Sequence, residues 1–254
     1  MTDLLDRDAP APTTRPRMPL LLGGLVVLAL LAGGIWWFFL RDDAPDAFDI
    51  EDAVAGALDT DDAQTGDDPP SPDTAPEGVE GTWTVGPGTG PSAAGFRVAE
   101  ELASIGATEA VGRTEQVTGS LTIDGATVTD VSITVDMDSL RTDDARRDGR
   151  MRSSLATDEF PTATFVLTRP IDLDSIPAEG ETISVTAVGD MTIKGVTNPV
   201  EVALDAQVVD DTLVVVGSLP VVFADYGVVP PSAAIVVSIE DRGTVEFQLY
   251  LARS

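Results

Sequence analysis

The chain has 254 residues, carries 15 Lys and Arg against 43 Asp and Glu for a formal charge of −28, and contains neither His nor Cys. Without imidazole or thiol it has no Ser-His-Asp triad, no His-ligated metal, no disulfide, no thiolate nucleophile and no Cys-bound cluster. So acidic a chain is repelled by nucleic-acid phosphates and anionic headgroups, yet its 43% hydrophobic content is enough to build a core.

Charge divides the chain into three parts. Residues 1–40 hold three Arg and three Asp, residues 41–80 hold Arg41 against 14 acids, and residues 81–254 hold 11 bases against 26 acids. Met18 to Leu40 runs 23 residues without a charge and ends in Trp36, Trp37, Phe38 and Phe39. As a helix it would be roughly 34 Å long, enough for a hydrocarbon core of about 30 Å, with the aromatics at one interface. Arg7, Arg15 and Arg17 precede it, so the positive-inside rule places the N-terminus in the cytoplasm and the remainder outside. The competing reading is a cleaved signal peptide. The run is longer than the usual h-region of about 7–15 residues, and no clean A-x-A site follows, so an uncleaved single-span anchor is expected.

Residues 41–80 contain five Pro among the 14 acids and are expected to form a disordered acidic linker. Forty such residues span about 35 Å root-mean-square, more with self-repulsion. Within them Ile50, Val54 and Ala57 stand at helical spacing, a nascent helix set against the reading of a solvated tether.

From Gly81 onward apolar residues recur at every second position. Val131, Ile133, Val135 and Met137 alternate with Ser132, Thr134, Asp136 and Asp138, and the same alternation runs through 182–194, 198–209 and 245–251. That pattern marks half-buried antiparallel strands. More apolar runs add strands near 82–85, 94–102, 117–124, 163–169, 212–222 and 234–240, punctuated by Asp124-Gly125, Asp210-Asp211, Pro230-Pro231 and Asp241-Arg242-Gly243. Eight to ten strands are predicted, with one short helix from about Asp143 to Leu155. Periodicity alone leaves barrel and sandwich open. The long strands, and Gly189 inside one of them, favour an all-β antiparallel barrel of about eight strands.

Three local motifs go further: Gly189-Asp-Met-Thr-Ile-Lys-Gly-Val-Thr-Asn-Pro-Val200, Ser139-Leu-Arg-Thr-Asp143 followed by Arg147-Asp148, and Asp158-Glu-Phe-Pro-Thr-Ala-Thr-Phe165. In this order and spacing they resemble the YceI-like family, lipocalin-like domains that bind polyisoprenoid lipids. The resemblance covers roughly residues 81–254, with Gly81-Thr-Trp-Thr-Val85 as the opening strand. It implies an eight-stranded barrel with a short helical cover around an elongated apolar cavity, and no catalytic role. The sequence departs from the family in two places. Ser92 and Phe96 match an early S-x-x-x-F-x-x-x-H strand, but Glu100 stands where the His would be. Near the C-terminal strands Phe223 stands where an R-x-x-F-G run has Arg, in Phe223-Ala-Asp-Tyr-Gly227.

The candidate cavity-lining residues are Phe96, Met137, Met151, Phe160, Phe165, Met191, Ile193, Phe223 and Tyr226. Their alternative is a packed interior, since small barrels can be filled by their own side chains. Adaptable Met and aromatic walls suit a flexible prenyl chain, which gains roughly 25 cal/mol per Å² of apolar surface buried. Arg147 and Asp148 are candidates to meet a polar ligand head, against a structural ion pair or a solvated helix face. With Arg141, Arg146, Arg150 and Arg152, Arg147 forms the patch best suited to a phosphate head or a membrane surface. Asp136 and Asp138 share a face, as a glycosidase pair would, but that face is the polar one opposite Met137. The expected partner is a polyisoprenoid or quinone lipid, with a membrane joined through residues 18–40, no nucleic acid, no metal and no cofactor. The alternative is a surface-displayed β-sandwich interaction module with no small-molecule ligand.

Overall fold

The computed structural model describes residues 44–62, 78–85, 90–103, 106–173, 175–232 and 236–254. The uncharged run Met18–Leu40 lies outside them, and among the described residues no helix is long and apolar enough to cross a membrane.

Twelve strands form one antiparallel sheet: β1 (Gly81–Val85), β2 (Ala93–Leu102), β3 (Gly106–Thr114), β4 (Val117–Asp124), β5 (Thr127–Asp136), β6 (Thr162–Arg169), β7 (Ile171–Asp172), β8 (Ile183–Ile193), β9 (Val196–Val209), β10 (Thr212–Val222), β11 (Val236–Ile239) and β12 (Arg242–Arg253). Eight of them close a ring in the order β1-β4-β5-β6-β8-β9-β10-β12, sealed where Trp83 of β1 lies opposite Arg253 of β12. A closed ring has no exposed edge, so the sandwich alternative gives way to a barrel. β2 pairs with the earlier stretch of β12, Phe96 opposite Val245, and carries β3 and β11 beside it. The wall is thereby extended at one end.

Parity along each strand decides what faces inward. Val131, Ile133 and Val135 of β5 line the interior while Asp136 and Asp138 are exposed. Asp136 accepts backbone N–H bonds from Asp138 and Ser139 at 2.9 and 3.2 Å, so it shapes the turn after β5. The β8–β9 hairpin turns on Lys194 and Gly195, both at positive φ, as a two-residue turn between twisted strands requires. Trp83, in the core cluster at the β1–β12 seam, is 1% exposed; its indole N–H donates to the Val79 carbonyl at 2.9 Å, and Arg253 lies 4.8 Å over the ring.

Strand β10 departs from alternation. Leu213 to Val216 are buried without interruption, because the interior takes Leu213 and Val215 while Val214 and Val216 point outward under a cover. That cover is helix α1 (Ile50–Asp62), whose Ala53 packs with Val214, Val216 and Tyr250, flanked by Phe48, Ile50, Val54 and Ala57. The disordered linker predicted for 41–80 is therefore corrected over 44–62, and residues 41–43 and 63–77 lie outside the described residues. The reason is an apolar stripe on the outside of β10 and β12 that water would otherwise cover. Gly56 permits the close approach, since a Cβ there would lie 3.1 Å from the Tyr250 hydroxyl.

Tyr250 fastens this strap by donating to the Ala53 carbonyl at 2.8 Å. Burial pushes its pKa up, so it remains a donor at neutral pH. Tyr250→Phe is expected to cost about 1 kcal/mol, confined to the strap. Amide exchange should accelerate in 50–62 and stay unchanged in β8 and β9. Equal acceleration across the barrel would show that the bond serves the whole fold.

Strands β3 and β7 were not among those predicted. β3 reads Gly-Ala-Thr-Glu-Ala-Val-Gly-Arg-Thr, with glycines and charges where alternation would show apolar side chains. The predicted helix is present as α2 (Ala145–Leu155).

Candidate functional site

The barrel interior holds a cavity of about 370 Å³. Its long walls are apolar: Leu121 and Ile123 from β4, Val131, Ile133 and Val135 from β5, Ala187 and Met191 from β8, Leu213 and Val215 from β10, Phe247 and Leu249 from β12. Two of the aromatic rings in the wall lie over glycines. Phe96 sits over Gly112, where a Cβ would come within 2.5 Å of its ring, and Phe165 sits over Gly189 at the same separation. Each ring settles into the hollow left by a missing side chain and so takes up less of the lumen.

Polar groups cluster at the end covered by α2. The helix begins at Asp144, whose carboxylate accepts the Arg146 backbone N–H at 2.7 Å, a bond that holds its pKa below the ordinary carboxylate range. It ends at Ala156 in the left-handed conformation, whose N–H returns to the carbonyls of Arg152 and Ser153. Asp148 is buried and accepts from both the backbone N–H and the hydroxyl of Thr142, each at 2.8 Å. These bonds bolt the helix over the opening with Met151 and Leu155 facing in.

Arg147, one residue from Asp148, faces the cavity. Its guanidinium meets the Glu100 carboxylate at 2.8 Å and also pairs with Asp143. Glu100 is 8% exposed and sits on the cavity-facing parity of β2, with Phe96, Val98 and Leu102. A buried carboxylate needs a partner. Arg147 supplies it.

Of the predicted residues, Phe96, Met137, Met151, Phe165, Met191, Ile193, Phe223, Tyr226 and Arg147 stand in the cavity wall. Two do not. Phe160 lies over Gly195 of the β8–β9 turn, where a Cβ would come within 2.5 Å of its ring, so it braces the hairpin. Asp148 is spent on Thr142, because consecutive helix positions point about 100° apart. Among the five clustered arginines, Arg141 donates to the carbonyls of Asp138 and Leu140, and Arg147 is paired as described. Glu100 was missed as a wall residue. Its parity with Phe96 on one strand was the signal that would have found it.

The family model of the YceI-like domain matches residues 83–251. No curated protein matches the chain. Among solved structures, it is similar to a polyisoprenoid binding domain from Saccharophagus degradans implicated in plant cell wall breakdown, at 17% identity and a TM-score of 0.53, covering 69% of this chain and 100% of that one. It is also similar to BcnA of Burkholderia cenocepacia, at 21% identity and a TM-score of 0.48, covering 62% and 95% of the two chains. A YceI protein of Campylobacter jejuni matches at 14% identity and a TM-score of 0.46, covering 56% and 84%.

Proposed function

Because this chain belongs to the YceI-like domain family, we propose that it is a binding protein for an elongated apolar lipid, a polyisoprenoid or isoprenoid quinone, held inside the barrel. The observation that carries this reading is the cavity inside the barrel, walled along its length by aliphatic and aromatic side chains with polar groups gathered toward its ends. A prenyl tail has no hydrogen bonds to satisfy and asks only for apolar contact along its length. The Saccharophagus degradans domain is described as polyisoprenoid binding, which supports the class of ligand.

We further propose that Met18–Leu40 anchors the chain in a membrane, with the N-terminus cytoplasmic and the barrel on the other side. Residues 44–62 belong to the compact unit formed by Asp43–Ser254, so a tether can draw on fewer free residues than the 40 of the acidic segment.

One preparation tests both points. Membranes holding the full chain are washed at alkaline pH, and the retained protein is purified in detergent, extracted with organic solvent and weighed by mass spectrometry. Retention of the intact chain with a stoichiometric isoprenoid is expected. Release into the wash overturns the anchor. An empty extract, with no saturable uptake of long-chain prenyl lipids, overturns the binding reading.

A further inference from the structure

We infer that the end of the barrel formed by α2 and the β10–β11 connection docks on a lipid bilayer, with Val229 and Val237 set among the lipids, so that the cavity opens onto the membrane that supplies its ligand. This rests on the binding reading above and adds the surface through which the lipid enters.

Strand registers bring four connections to that end: the β2–β3 turn after Leu102, the α2 segment between Asp136 and Thr162, the Lys194-Gly195 turn, and the β10–β11 connection after Val222. Val229 and Val237, at 72% and 61%, are the most exposed large hydrophobic residues among those described, and Val196 and Val222 are exposed at the same end. Val229 and Val237 both stand beside residues of the cavity wall, the first between Val228 and Pro230, the second after Val236. The segment therefore turns apolar groups both to the lumen and to solvent. From Tyr226 to Ile239 it carries no charge. A soluble surface seldom leaves such a patch uncovered, so it marks a contact.

Cavity, charge and chain length together identify the occupant as a bilayer. A prenyl lipid resides in one, and a mouth with an apolar rim lets it pass without crossing water. The opposite end of the barrel is acidic: its connections carry Asp124, Asp172, Glu179, Glu181, Asp210 and Asp211, which anionic headgroups repel. At the α2 end Arg150 is exposed and lines the cavity, with Arg146 and Arg152 on the same helix, where lipid phosphates could accept from them. The acids of this end are in part neutralised, Asp143 by Arg147 and Asp241 by Arg242. The anchor proposed above ends at Leu40, and the first described residue is Ala44, so the chain between them reaches no more than about 14 Å. So short a tether keeps the domain at the bilayer.

The test uses the full chain in vesicles of phosphatidylcholine and phosphatidylglycerol. Because the chain has no Cys, each introduced Cys takes a nitroxide label at one place only. Labels at Val229→Cys and Val237→Cys should collide several-fold more with oxygen, which partitions into lipid, than with a water-soluble nickel chelate. Labels at Val166→Cys on the flank of the barrel and Ile176→Cys at its opposite end should show the reverse. Added salt should leave the lipid contact in place, since apolar burial carries it. In a background of Val229→Asp with Val237→Asp, a label at Val222→Cys should move toward water, because the whole end lifts once its apolar contact is lost.

Labels at those two positions that meet the nickel chelate freely overturn the docking. Labels shielded from both reagents place protein there, a second copy or a partner, and overturn it as well. Neither readout needs a bound lipid, so the docking and the binding reading fail separately. Lipid contact at both positions in a chain that takes up no menaquinone-4 would leave the bilayer contact standing and overturn the route of entry along with the binding reading. Should the chain leave the membrane in the alkaline wash, the same labels are read on full chain added to the vesicles, and lipid contact there shows that the barrel docks without an anchor.

Discussion

Replacing Glu246 with alanine is expected to destabilise the domain by about 3–5 kcal/mol, the cost of leaving buried charge without its partner. Glu246 stands on β12 between Val245 and Phe247, which face the cavity, so parity sends its carboxylate outward. The outside of the barrel is covered there, and the side chain is 3% exposed. One oxygen accepts from Arg97 Nε at 2.6 Å and the other from Arg113 Nε at 2.9 Å. Arg97 reaches on to Glu109 at 2.7 Å. Burial by itself would lower the pKa of Arg97, but the bonds to Glu246 and Glu109 outweigh it and raise the value above the ordinary one. Both guanidinium groups then donate to the strap, at the carbonyls of Pro45 and Asp46, and Phe48 stacks 3.9 Å from Arg113.

Removing the carboxylate leaves two cations facing each other beneath the strap, so loss of the network and loosening of residues 44–48 should occur together. An exposed pair supplies the contrast. Arg242 and Asp241 meet at 3.2 Å with both side chains more than half exposed, and Asp241→Asn should change stability by less than about 1 kcal/mol. Denaturant midpoints compare the two variants directly. Equal midpoints would mean that the buried network adds no more than a surface pair does.

The same network shows where the sequence was legible and where it was not. Barrel strands such as β5, β8 and β9 could be read because one face meets the lumen and the other meets water, and the period of two records that difference. Strand β3 lacks that contrast. Its inward positions include Ala110 and Gly112, small because Phe96 needs the space, and its outward positions Glu109 and Arg113 are committed to the buried ion network. The strap was hidden for a related reason. Composition counts its acids, whereas docking depends on Phe48, Ile50, Ala53, Val54 and Ala57 finding Val214, Val216 and Tyr250 on the far side of a strand distant in sequence. Within the site, the apolar residues followed from alternation and motif. The pairing of Glu100 with Arg147 required knowing that α2 folds back over the end of β2, a contact between elements that no local pattern encodes.

Ala187→Phe is expected to reduce uptake of a prenyl lipid by more than tenfold while leaving the domain folded. Ala187 is 2% exposed on β8, opposite Val202 of β9, and belongs to the cavity wall. A benzyl group there has only the lumen to enter. Each methylene of the ligand that it displaces forfeits about 0.8 kcal/mol of burial, so two displaced methylenes already exceed a factor of ten. In a filled core the same substitution would force neighbours off their rotamers at about 1–3 kcal/mol or more. In an open lumen the ring replaces empty space, and the cost should fall below that range. Val166→Phe is the control: Val166 is 44% exposed and alternates with the inward Phe165, so it adds the same ring on the outside and should alter uptake little. The two readouts separate the explanations. Uptake lost with the melting transition kept identifies Ala187 as part of an open binding tunnel. Unfolding in Ala187→Phe, with Val166→Phe intact, would mean that the interior is packed shut, and the lipid would then have no place inside the barrel.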